Sequence, residues 1–194
     1  MKKAEGRKEH IYFGAANRED IKWWRTVLVQ WDGLYLFEET EWTMTSLSGF
    51  YTDASDWGGG ACFGQFYTSF PWRKDIDLTT MTIQVREMFV IVVAILTFQR
   101  FWKRKRLVIE TDSQANIASV ARGACNNELV HKLIKTFISV QVLGGFSLRL
   151  TYINTHDNKW ADTLSRGSSE VFKAEVKDPM FLSPIFPTDF PVIV

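Results

Sequence analysis

The sequence predicts an α/β domain built on a mixed sheet, and three observations predict it. Three short strand-like segments between Gly49 and Trp72, punctuated by glycine, read as an antiparallel meander. Further strand signals at Leu107–Thr111 and Ser147–Ile153 alternate with helix signals, and strand–helix–strand units join parallel neighbours through right-handed crossovers. The longest apolar run, Met88–Leu96, is far short of the ~20 residues that span a membrane, so it belongs to a buried core element.

The elements follow in order. Residues 1–16 are polar, and Asn17, with Asp20 three residues on, predicts a helix start in a capping-box-like pair. Ile21, Trp24 and Leu28 share one face of that helix and Asp32-Gly33 ends it. An apolar stretch, Leu34–Phe37, follows, and residues 1–46 read as an appendage leading into a main domain of residues 47–167. Gly49–Thr52 is strand-like and runs into Asp53. Trp57-Gly58-Gly59-Gly60 reads as a turn, with Ala61–Phe66 and Thr68–Trp72 as the second and third strands. Residues 82–102 leave strand and helix open. The β-branched content favours a strand, and the length favours a helix buried on most sides. Leu107–Thr111 is the fourth strand, and Ser113 caps a helix through about Ala121. Asn126 or Asn127 caps the next helix, whose apolar face is Leu129, Leu133, Ile134, Phe137 and Ile138 and which stops at Gly144-Gly145. Ser147–Ile153 alternates as the fifth strand, and Asn158–Arg166 is helical. Residues 168–194 leave room for a short helix and then form an extended Pro-rich tail.

Composition narrows the class. The 194 residues, 46% hydrophobic, fit one compact domain with an appendage. Lys plus Arg is 23 against 22 for Asp plus Glu, which argues against a highly basic coating protein while leaving local patches open. Two isolated cysteines, Cys62 and Cys125, make neither a disulfide framework nor a thiolate metal site, and they point to an intracellular, reduced setting. No apolar leader follows Met1. There is no Gly-x-Ser-x-Gly elbow and no P-loop, so serine-hydrolase and nucleotide-phosphate chemistry have no support. The basic run Arg100–Arg106 has two readings: a helix end whose cations face water, or a phosphate-attracting patch in which Trp102 stacks. His131 reads as a surface or half-buried helix residue, and Asp75 and Asp77 as solvated loop residues.

Four carboxylates stand apart from the rest. Asp53 follows the first strand, Asp112 follows the fourth, Glu87 lies near the start of the long apolar segment, and Asp162 near the start of the late helix. If strands one and four are parallel neighbours, Asp53 and Asp112 emerge side by side at the carboxyl edge, where open α/β sheets carry their ligand sites. Taken singly, each such residue is ordinarily a cap or a solvated charge. Gathered together, they repel one another and persist only with cations. Oxygen-only donors select a hard ion, Mg²⁺ or Mn²⁺. Two such ions about 4 Å apart activate a water and stabilise a leaving oxygen in phosphodiester displacement.

Three segments carry a resemblance that covers Phe50–Arg166. They are Thr52-Asp53-Ala54-Ser55-Asp56-Trp57-Gly58-Gly59-Gly60-Ala61, Thr111-Asp112-Ser113-Gln114, and Asp157-Asn158-Lys159-Trp160-Ala161-Asp162-Thr163-Leu164-Ser165-Arg166. In this order they resemble the ribonuclease H domain that follows the polymerase in reverse transcriptases. The match looks closest to retroelements of the DIRS and Ngaro type, which use a tyrosine recombinase. Asp20–Trp24 and Trp31-Asp32-Gly33 are similar to the segment joining polymerase and nuclease there.

The resemblance implies a ribonuclease H-like five-stranded mixed sheet with helices on both faces, strands four and five parallel to the first, and a helix for residues 82–102. It also implies a two-metal endonuclease that hydrolyses the RNA strand of RNA–DNA hybrids, uses two Mg²⁺ ions (Mn²⁺ substituting), and works beside an upstream polymerase domain with no membrane partner. Asp53 would bridge both ions, Asp162 would complete the site of the water-activating ion, and Glu87 and Asp112 would complete the other. Ser55, Gln114 and Asn158 would meet the substrate. His156, six residues before Asp162, reads either as an aid to product release or as a plain loop histidine. Where relatives carry an amide four residues before the helix glutamate, this chain has Ile83, with Gln84 beside it. Two rival readings stand beside the nuclease: a DNA nuclease or strand-transferase of the same fold, and an inactive domain that binds nucleic acid or braces a polymerase.

Overall fold

A computed structural model of the chain describes residues 14–31, 33, 49–74, 78 and 81–188. Leu34–Phe37, Asp32, Asp75, Asp77, Pro191 and the predicted domain start at Leu47 lie outside the described residues. The chain divides into two compact units, Met1–Gly33 and Leu34–Val194.

The first unit contains one described helix, α1 (Ala15–Gln30), which starts at Gly14 rather than Asn17. Asn17 lies inside the first turn and no side chain caps the helix, so the capping-box expectation fails. Ile21, Trp24 and Leu28, spaced i, i+3, i+7, are 51%, 42% and 52% exposed.

The second unit is a six-stranded mixed sheet in the order β5-β4-β1-β2-β3-β6. Its strands are β1 (Phe50–Ala54), β2 (Gly58–Phe63), β3 (Phe66–Pro71), β4 (Arg106–Thr111), β5 (Ser147–Tyr152) and β6 (Met180–Phe181). β1, β2 and β3 are antiparallel neighbours, while β4 runs parallel to β1 and β5 parallel to β4, as expected. The sixth strand corrects the expected five. It comes from the Pro-rich tail and pairs parallel with β3, Phe66 opposite Met180. The tail therefore packs onto the domain. Its short helix (Glu170–Glu175) buries Phe172 completely, and Phe186 stacks on Phe89.

The glycines Gly58–Gly60 form the start of β2, not the expected turn: the β1–β2 connection falls just before them at Ser55–Trp57, and the β2–β3 turn falls at Gly64-Gln65, where Gly64 has φ +56°. Packing is the reason. A Cβ on Gly59 would lie 2.5 Å from the Phe70 ring and 2.5 Å from Val90, and one on Gly60 would collide with Ser165 N and Leu164. Successive strand residues point to opposite faces. Val90 belongs to α2 (Ile83–Phe98) and Leu164 to the helix Lys159–Ser165, so helices cover both faces.

Helix α2 settles the open reading of residues 82–102. Thr82 caps it, accepting from Val85 N, and it is buried on nearly every side between the sheet and the helix Glu128–Gly144. Its β-branched run is helical because tertiary packing overrides strand propensity. Gln99–Phe101 continue as a 3-10 turn into Trp102, which is 0% exposed and packs on Phe50, Phe63, Phe98 and Phe146. That burial removes Trp102 as a stacking platform. Arg100, Lys103, Arg104 and Lys105 are exposed at the amino end of β4, the end opposite Asp112 and ~20 Å of strand away. Among the described residues no helix is long and apolar enough to cross a membrane.

Candidate metal centre

Strand register builds the site. Tyr51 of β1 pairs with Glu110 of β4, so Asp53 and Asp112, each two residues further on, stand level at the carboxyl edge. Asp53 shares the face of the helix Lys159–Ser165, here α5, and Ser165 Oγ donates to its Oδ2 at 2.5 Å. Glu87 comes from α2 on the other face and accepts a hydrogen bond from Ala54 N at 3.2 Å, at the end of β1. Ligand oxygens of Asp53, Glu87 and Asp112 lie within 4.8 Å of one another. Thr155 Oγ1, from the loop after β5, donates to Asp112 Oδ2 at 2.9 Å.

Electrostatics matches this crowding. Burial, with the charges of Asp112 and Asp162 adding, pushes Asp53 up to about 6, against the opposing Ser165 hydrogen bond and Arg166 charge. Burial, then the Asp53 and Asp112 carboxylates, raises Glu87 well above the ordinary range. Glu87 is 5% exposed, and its Oε2 has no hydrogen-bond partner. A buried carboxylate oxygen without a donor, on one of three crowded acids, is the arrangement a hard cation satisfies, and the all-oxygen donor set suits Mg²⁺ or Mn²⁺.

The remaining predicted residues divide. Asp162 is outside the group of three: Arg166 holds its Oδ1 through Nη2 at 2.7 Å and Nε at 3.0 Å. Its charge nonetheless acts on Asp53. Gln114 is exposed in the first turn of the helix Gln114–Arg122, one residue beyond Ser113, which holds the N-cap position without the expected side-chain cap hydrogen bond. His156 is exposed in the loop that carries Thr155, and its backbone N–H donates to Asn154 Oδ1. Ser55 does not face outward. Its Oγ donates to Ser165 O at 2.6 Å and accepts from Trp57 N and Gly58 N, so it ties the β1–β2 turn to α5. Asn158 is 1% exposed and donates to Thr52 O at 3.0 Å, fastening the start of α5 to β1. Asn158 is buried, and Ser55 is half-buried with its hydroxyl already engaged within the fold.

Three residues of the site were not singled out from the sequence: Thr155, Ser165 and Arg166. Ser165 and Arg166 lie within the closing motif, which was the signal available.

No family model matches the sequence, and no curated protein matches it. Among solved structures, the chain is similar to the crystal structure of RNase H1 from the halophilic archaeon Halobacterium salinarum NRC-1. Identity is 16%, the match covers 64% of this chain and 94% of that one, and the TM-score is 0.41. A similarity of that size carries no argument about activity.

Proposed function

We propose that the chain is a metal-dependent endonuclease of ribonuclease H type, hydrolysing the RNA strand of RNA–DNA hybrids as the nuclease part of a retroelement reverse transcriptase. The observation that carries the reading is the convergence of Asp53, Glu87 and Asp112 from β1, α2 and the end of β4, with Glu87 Oε2 buried and without a donor. Asp53, Glu87 and Asp112 would hold Mg²⁺, with Asp162 joining for a second ion. Bound there, the ions supply water activation and leaving-oxygen stabilisation for in-line phosphodiester displacement.

The chain's own residues hold the ligands in place. Ser165 orients the Asp53 carboxylate, Thr155 that of Asp112, and the Ala54 N–H that of Glu87. Gln114, exposed two residues beyond Asp112, would meet the groove of a hybrid, whose 2′-hydroxyls distinguish RNA from DNA. The motif order resembles that of the retroelement domains and supports an upstream polymerase as partner.

One observation favours a second reading, a nuclease of the same fold acting on DNA. Ile83 replaces the amide of relatives, and the neighbouring Gln84 turns its amide toward Ser119 Oγ at 3.3 Å.

The test is cleavage of end-labelled substrates in Mg²⁺ by the native chain and by Asp53→Asn. Cutting of the RNA strand in a hybrid, lost in the variant, is the expected result. Equal cutting of duplex DNA supports the second reading. No cutting of either substrate, with Mn²⁺ also tried, overturns both.

A further inference from the structure

We propose that Arg166 is a built-in counter-cation that holds Asp162 out of the acidic cluster, so that the centre takes its ions in two unequal steps. The inference rests on the metal-centre reading above and concerns how the centre is loaded.

Three of the four acids already share a common space, whereas Asp162 does not. The difference has a visible cause. Asp162 and Arg166 are one turn apart on the same helical face, and the guanidinium grips a single carboxylate oxygen with two N–H groups. Arg166 also acts on Asp53 in the sense opposite to the neighbouring acids, so its charge already offsets part of the cluster's repulsion. The first ion therefore meets a ready set of oxygens on Asp53, Glu87 and Asp112. A second ion must draw Asp162 away from Arg166 while standing near that fixed positive charge.

The pair is well placed to open. The Arg166 side chain is 64% exposed and that of Asp162 30% exposed, and ion pairs in water are held weakly. Phosphate oxygens of an arriving nucleic-acid strand are better bidentate partners for a guanidinium than a lone carboxylate oxygen. Substrate arrival would thus release Asp162 as the second ion enters, coupling loading of the second ion to substrate.

The experiment is a Mn²⁺ titration of the whole chain without substrate, read by the electron paramagnetic resonance signal of free Mn²⁺ and by calorimetry. It compares native, Arg166→Gln, Arg166→Lys and Asp162→Asn proteins, with thermal melts in chelator to show that each is folded. The expected result is a first step retained in all four and altered less than the second, since Arg166 and Asp162 act on Asp53 only at a distance. The second step should tighten roughly three- to tenfold in Arg166→Gln, about the strength of one exposed pair plus one removed like charge. It should change less in Arg166→Lys and disappear in Asp162→Asn. Two ions bound by Arg166→Gln where native binds one is the same result in stronger form. An unchanged or weaker second step in folded Arg166→Gln overturns the role of Arg166 while leaving the metal centre intact. Absence of any Mn²⁺ binding at millimolar concentration overturns the metal centre itself, and the inference with it.

Discussion

Asp53→Asn should make the metal-free protein more stable while abolishing its chemistry. Asp53 is 6% exposed, and burial lifts it from its ordinary 3.8 to about 6. The folded chain therefore binds this proton more tightly than the unfolded chain does. Stability in chelator is then lost as pH rises from about 4 to about 6, and the deficit is complete above that window. At ~1.4 kcal/mol per pH unit, the rise corresponds to about 3 kcal/mol. Asparagine removes the charge but keeps an oxygen that can accept from Ser165 Oγ. At about pH 7.5 in chelator the variant should melt roughly 5–10 °C above the native chain, and near pH 4 the two should converge. Differential scanning calorimetry at both pH values measures this. In millimolar Mg²⁺ the native chain should recover much of the difference through binding, and the variant should not. Equal melting in chelator at about pH 7.5, or a gap that persists at about pH 4, would refute the account of the cluster as a self-repelling site awaiting cations.

Other perturbations probe the supports of the site. Ser165→Ala removes the hydroxyl that favours the Asp53 carboxylate, so in chelator at neutral pH it should cost about 1 kcal/mol by denaturant melt and move the pH window upward. Gly60→Ala pushes a Cβ into Ser165 N and Leu164, and should cost about 1–3 kcal/mol and reduce cleavage by displacing α5. Trp102→Ala empties a fully buried site among four phenylalanines and should cost about 3–5 kcal/mol in urea unfolding. Phe172→Ala should cost a comparable ~3 kcal/mol, whereas a tail that merely trailed from the domain would leave stability unchanged.

Much of the site was legible in the sequence because strand ends are legible. An aspartate after a strand and another after its parallel neighbour are brought together by register, and register follows from the order of elements. What was not legible is what the other polar residues of the motifs do. Ser55 and Asn158 look like substrate contacts in a linear motif, yet both are bound to backbone groups more than a hundred residues away. Trp102 sits in a basic run and looks exposed, yet its neighbours in space are Phe50 and Phe146.

The sequence by itself determined the order of the five main strands after Gly49, a helix start at Asn126 or Asn127, and the placing of Asp53 and Asp112 at strand ends, because periodicity, capping and chain direction are local properties. Only the tertiary structure decided that Gly58–Gly60 are strand, that α2 is a helix despite its β-branched run, that the tail supplies a sixth strand, and that Arg166 rather than the cluster holds Asp162. The first three depend on what packs across the sheet. The last pairs two residues four apart on one helix, a spacing visible in the sequence, but whether the carboxylate turns to Arg166 or to the cluster depends on a few ångströms set by packing.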